Sequence, residues 1–129
     1  RVRKLLRENM NDYRAKGETI SNAEIFLDCF AISECPGDYV DSPTVIGSQA
    51  ANELLNVIGV KASFVLTEYR GVIYVSARAI DEVNVQIIME RMGGGGHLNM
   101  AGCQLETGMN EAKRILKDTL TEMLEEGEI

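Results

Sequence analysis

The stretch Met92-Gly93-Gly94-Gly95-Gly96-His97-Leu98-Asn99-Met100-Ala101-Gly102-Cys103-Gln104 decides how the rest of this 129-residue chain is read. Four consecutive glycines lose much conformational entropy on folding, so something must require them. Close approach of backbone to a ligand is one such requirement. Successive N–H groups of the run would then form a concave anion nest. His97, the only histidine, stands at the end of that nest and has the chemistry to hydrogen-bond or charge-pair with a phosphate. Gly102 would let the following strand pass close beneath. A plain glycine turn from helix to strand, with His97 merely exposed, is the alternative. Flexible tethers run through serine and other polar residues. Here Ile87, Ile88, Met89 and Met92 precede the glycines and Leu98, Met100 and Ala101 follow them, which points to a packed loop. The run is not a dinucleotide fingerprint, because it follows a helix rather than a strand. Nor is it a P-loop, which ends in Gly-Lys-Ser/Thr.

Working upstream, residues 83–92 read as a short helix with Asn84 as a capping residue. Before it, strands over 61–68 and 72–78 form a hairpin around Tyr69-Arg70-Gly71. In the second strand Val72, Tyr74, Ser76 and Arg78 share one face, and Ile73, Val75 and Ala77 the other. Ser76 and Arg78 thus present a hydroxyl and a guanidinium side by side, a pair suited to phosphate oxygens or a base edge. Taken alone, the same pair also fits a solvent-facing strand.

Further upstream, Ser42-Pro43 supplies an N-cap and a first-turn proline. Ile46, Ala50, Leu54 and Ile58 then recur every fourth residue until Gly59, predicting a helix over 43–58. Residues 24–32 read as one buried strand ended by Pro36-Gly37. Val2, Leu5, Leu6, Met10 and Tyr13 predict a basic first helix that Gly17 stops. Downstream of the glycines, 101–106 reads as the last strand. Asn110 then caps a helix whose stripe is Ala112, Ile115, Leu116, Thr119, Leu120 and Met123, with Gly127 at its end. The order α-β-α-β-β-α-β-α predicts an α/β (α+β) fold: a small mixed sheet of about four to five strands packed by helices.

Charge narrows the function. Thirteen Lys and Arg stand against 20 Asp and Glu, a net charge of −7, which disfavours a broad polyanion-binding face but leaves a small anionic ligand open. Cys29, Cys35 and Cys103 make neither an even disulfide framework nor a close-spaced metal pair, so a reduced, cytoplasmic setting is the simplest expectation. No apolar run nears the length needed to span a bilayer, so no membrane contact by this chain is expected. The chain opens on Arg1 inside a helical pattern, and a fragment of a larger protein is expected.

The run Ser76-Ala77-Arg78, Asn84-Val85-Gln86, Ile88-Met89-Glu90, Gly93-Gly94-Gly95-Gly96-His97 and Ala101-Gly102 resembles the DHH family of phosphoesterases. The likeness is to the family's DHH-associated C-terminal domain, in the version found in bacterial cyclic-di-AMP phosphodiesterases. It extends to Ala62-Ser63-Phe64-Val65 and to the helix that begins at Pro43. The resemblance implies a two-domain enzyme whose N-terminal DHH domain holds Mn2+ and hydrolyses cyclic-di-AMP to linear pApA. No Asp-His-His triplet occurs here, so this chain is expected to be inactive alone, with no catalytic residue and no metal ligand of its own. By position, Gly94, Gly95, Gly96 and His97 would bind the substrate phosphate or its nucleoside, with Ser76 and Arg78 bracketing it. Residues 1–18 would be an interdomain connector helix and 19–129 the substrate-binding domain.

Expected partners are a cyclic dinucleotide or short oligonucleotide, the N-terminal DHH domain of the same protein, and in some settings a second copy as a homodimer. The parent of such a domain is membrane-anchored in many relatives. Two positions depart from the family pattern: Met100 stands where an alanine is common, and Ala79 where a serine is common. Alternatives on the same fold are a nanoRNase, a pAp phosphatase or a single-strand exonuclease. A non-catalytic nucleic-acid-binding module, of the kind appended to alanyl-tRNA synthetases, is a further one. The acidic charge and the low aromatic content (5%) argue against long single strands.

Overall fold

Alternation organises the centre of the sheet. Along Val72–Ala79, Ile73, Val75, Ala77 and Ala79 are buried while the residues between them are half-buried, the pattern of a strand with one face on a core. The computed structural model describes residues 9–37, 40–80 and 82–129. Its elements run α1 (Met10–Ser21), β1 (Glu24–Phe26), β2 (Phe30–Cys35), α2 (Pro43–Leu54), β3 (Ala62–Tyr69), β4 (Val72–Ala79), α3 (Val85–Arg91), β5 (Gly95–His97), β6 (Met100–Leu105) and α4 (Met109–Glu125). The strands form one sheet of order β1-β2-β3-β4-β6-β5. β2 and β3 are parallel, joined through α2, and the other neighbours are antiparallel. The mixed α/β class predicted from sequence holds. The sheet has six strands because a three-residue strand closes each edge.

Two apolar layers hold the sheet. On one face Phe64, Leu66, Ile73, Val75 and Cys103 pack against Ile88 and Met89 of α3 and Leu116, Leu120 and Met123 of α4. Each such large side chain contributes about 1.5–3 kcal/mol on burial. On the other face, Ala31, Cys35 and Val65 pack against Ile46, Ala50 and Leu54 of α2 and Ala15 of α1. Buried hydroxyls tie this second layer: Ser33 donates to the Thr19 carbonyl at 2.5 Å and Ser63 to the Ala51 carbonyl at 2.5 Å. α1 lies over β2, and α2 over β3 and part of β4, so this face of β6 and β5 is left largely uncovered.

Several boundaries differ from expectation for local reasons. The run 24–32 is two strands, not one, because Leu27 and Asp28 take positive φ (52° and 69°) and fold β1 back along β2. Gly17 does not stop a helix. It lies on the exposed side of α1, which is anchored by buried Ala15 and Thr19 and runs on to Ser21. That helix starts at Met10, where the Asn9 side chain accepts from the Asp12 N–H at 2.8 Å. The part of the expected first helix over 1–8 lies outside the described residues.

α2 ends at Leu54 rather than 58, and Ile58 is almost fully exposed. Ser42 occupies its N-cap position without a side-chain bond, and Pro43 starts the helix. The last helix is capped by Gly108, with Asn110 already inside it. Asn84 does cap α3, its side chain accepting from the N–H groups of Gln86 and Ile87.

Candidate functional site

Register gathers the residues singled out from sequence. Across three adjacent strands, Ser76 stands opposite Gly102 and Gly102 opposite Gly95. One row along, Arg78 stands opposite Met100 and Met100 opposite His97. Directly opposed residues project from the same face of an antiparallel pair. The two rows therefore lie on the α2 side of the sheet, running from β4 beside α2 out to the uncovered β6 and β5. Met100 stands between Arg78 and His97 and is half-exposed.

The glycine run is not the open nest that the sequence suggested. Gly93 donates its N–H to the Glu90 carbonyl at 3.0 Å, and Gly94 to the Met89 carbonyl at 2.7 Å, so these two donors close the end of α3. Gly95, Gly96 and His97 form β5 and pair with β6. Gly94 passes so near β6 that a Cβ on it would come within 2.6 Å of the Cys103 Cβ. Gly96 has φ +142° and abuts the Ala101 backbone. Gly95 differs: a Cβ there would meet nothing within 4 Å. Backbone-to-backbone packing thus demands Gly94 and Gly96, while Gly95 leaves open space beside Gly102.

Arg78 is the electrostatic centre of the site. Its Nη1 donates to the Ala77 carbonyl at 2.9 Å, but its buried Nε has no partner among the described residues. No carboxylate among the described residues pairs with it. Burial lowers its pKa from the ordinary arginine value. A half-buried guanidinium without an acid has capacity left for an external anion, and a planar fork suits phosphate. His97 is exposed at the edge strand.

Next to the rows lies an open cleft of about 680 Å³, floored by Tyr74, Ser76, Gly102 and Gln104 and walled by α2 and by Gly93-Gly94. The Ser48 and Ser76 hydroxyl oxygens are 3.0 Å apart and fasten α2 to β4 at its middle. The sequence reading did not single out Ser48, Gln49, Asn52, Tyr74 or Gln104. A legible signal existed for α2: Thr44, Ser48 and Asn52 recur every fourth residue as a neutral polar stripe beside the apolar stripe Ile46, Ala50 and Leu54.

Among the described residues no three His, Cys, Asp or Glu side chains cluster to hold a metal ion. The manganese implied by the resemblance has no fitting donor set in them. No described helix is long and apolar enough to cross a membrane.

Comparison with known proteins identifies the family and the fold. Residues 33–126 match the DHHA1 domain family. The chain is 39% identical over 128 residues to the cyclic-di-AMP phosphodiesterase GdpP of Geobacillus thermodenitrificans (strain NG80-2), covering 98% of this chain and 19% of that protein. It is 40% identical over 106 residues to the cyclic-di-AMP phosphodiesterase PdeA of Listeria monocytogenes serotype 1/2a (strain 10403S), covering 81% of this chain and 16% of that protein. It therefore spans less than a fifth of the length of these two relatives. The fold matches the crystal structure of an exopolyphosphatase-related protein from Bacteroides fragilis, with TM-score 0.81, 22% identity, and coverage of 91% of this chain and 36% of that one. With a family match over most of its length, the chain belongs to the DHHA1 domain family.

Proposed function

We propose that this chain is the nucleotide-binding domain of a DHH-family phosphodiesterase acting on cyclic-di-AMP, with linear pApA as product. The observation that carries the reading is the Arg78–Met100–His97 row on the α2 side of the sheet, with the buried Nε of Arg78 unpartnered among the described residues. The names of the relatives at 39% and 40% identity support the choice of substrate. In this reading Arg78 and His97 hold a phosphate of the substrate, Ser76 adds a hydroxyl, and Gly95 leaves room for the ligand to approach β5. Their work is positioning and charge compensation. The hydrolytic chemistry and its metal, expected to be manganese, belong to a DHH domain outside this chain. A charge of −7 disfavours long polyanions, whereas a site holding one or two phosphates needs only these few groups.

Titration of the chain with cyclic-di-AMP and with pApA, followed by amide NMR shifts, tests the reading. Both ligands should bind weakly and shift Gly95, His97 and Arg78, and His97→Ala and Arg78→Gln should each weaken binding. Unchanged affinity in both variants would overturn the phosphate assignment. Turnover of cyclic-di-AMP by this chain with added manganese would overturn the placement of the chemistry elsewhere.

A further inference from the structure

We infer that the cleft between α2 and Gly93-Gly94 is a nucleobase subsite, read by Tyr74 and the side-chain amides of Gln49, Asn52 and Gln104. The inference rests on the nucleotide reading above and assigns the part of the ligand that Arg78 and His97 do not hold.

Charge is the first argument. None of the described residues lining the cleft is Asp, Glu, His, Lys or Arg, in a chain that is 26% Asp, Glu, Lys and Arg. A phosphate in this space would find no cation, and the N–H groups of Gly93 and Gly94 on its wall already serve Glu90 and Met89. The volume, about 680 Å³, lies within the usual range for small-molecule sites.

Shape and donors supply the second. Gly102 leaves the floor flat between Ser76 and Gly95, a slot suited to a planar ring. The amides of Gln49, Asn52 and Gln104 have no hydrogen-bond partner within the protein among the described residues. Each carries a donor beside an acceptor, the complement of a base edge.

An aromatic group closes the far end. Tyr74 sits 6.3 Å from Tyr69, ring centre to ring centre, and the Arg70 guanidinium caps Tyr69 at 4.9 Å. Tyr74 is therefore braced from behind, and a braced ring loses little freedom when a base stacks on it. Arg78, Ser76 and Tyr74 follow one another at two-residue steps on one face of β4, about 7 Å per step. A phosphate at Arg78 thus places its attached nucleoside over Ser76 and Tyr74.

The test uses this chain with three probes: AMP, adenosine and ribose 5-phosphate, followed by NMR of backbone and side-chain amides. AMP and adenosine should both shift the side-chain amide signals of Gln49, Asn52 and Gln104. Ribose 5-phosphate should shift Gly95 and His97 and leave those signals in place. Tyr74→Leu should weaken AMP and adenosine about tenfold, the size of one lost base stack, and leave ribose 5-phosphate unchanged. Gln104→Ala, at an exposed position, should weaken the same two ligands without touching the fold.

Adenosine that shifts none of the three amides, with AMP no tighter than ribose 5-phosphate, would overturn the subsite and leave the phosphate row standing. Adenosine that binds as tightly as AMP, indifferent to Arg78→Gln and His97→Ala, would keep the subsite and overturn the phosphate row. Binding of none of the three would overturn both.

Discussion

Gly94 lies so close to Cys103 that a Cβ added to it would stand 2.6 Å from the Cys103 Cβ, inside any real carbon–carbon contact. The neighbouring Gly95 has nothing within 4 Å of the same imagined atom. Two adjacent glycines of one run therefore do different work: Gly94 lets the end of α3 seat on β6, and Gly95 leaves open space beside Gly102.

Alanine at these two positions should separate the roles. Gly94→Ala forces β6 or α3 to move and should lower stability by about 1–3 kcal/mol, the usual result of overpacking. Gly95→Ala should leave stability within about 1 kcal/mol and weaken pApA binding. Urea unfolding and ligand titration of the two variants check the contrast. Equal destabilisation would show that both glycines serve packing.

Arg78 should show a trade between stability and binding. Its buried Nε has no partner among the described residues, so Arg78→Met relieves a desolvated donor and should keep or raise stability, by about 1 kcal/mol at most. The same change should weaken phosphate-bearing ligands about tenfold or more, the size of a lost charge-assisted hydrogen bond. Thermal melts with and without ligand measure both. A large fall in melting temperature for the free variant would mean that Arg78 holds the fold.

The seat of α2 should be equally sensitive. A Cβ on Gly47 would stand 2.5 Å from the Thr67 hydroxyl oxygen, so Gly47→Ala should lift the helix and cost about 1–3 kcal/mol. Ser48→Ala removes only the bond to Ser76 and should cost about 1 kcal/mol. Chemical denaturation of both variants gives the order, and a larger loss for Ser48→Ala would contradict it.

Cys103 gives a pH dependence. Burial pushes its thiol up to about 11 from an ordinary value of 9.0. Between these values the unfolded chain loses the proton while the folded chain keeps it, so the folded state binds more protons and stability falls as pH rises from 9 to 11. Cys103→Ala should flatten that decline in a pH series of urea midpoints. At neutral pH Cys103 should resist a thiol reagent longer than the partly exposed Cys29.

Much of the fold could be read directly from residue order. Period two along 72–78 gave β4 and its two faces, and Pro43 with Ile46, Ala50 and Leu54 gave α2, because each pattern is local and repeated. The edge strands were hidden for the same reason. β1 and β5 have three residues each, too few for a period, and exist only because β2 and β6 offer them a ladder. The turn at Leu27-Asp28 carries no glycine or proline to announce it.

The residue types of the candidate site were legible, and their arrangement was not. The sequence by itself determined that Ser76 and Arg78 share a strand face, that glycine fills 93–96, and that His97 follows, since these depend on spacing along one chain. Only the tertiary structure decided that β6 lies between β4 and β5, which sets Arg78 and His97 on either side of Met100. It also decided that the N–H groups of Gly93 and Gly94 close a helix end rather than stand open as a nest. Strand order and the partners of backbone donors are long-range choices, settled by which apolar faces can be buried together, and no local pattern encodes them.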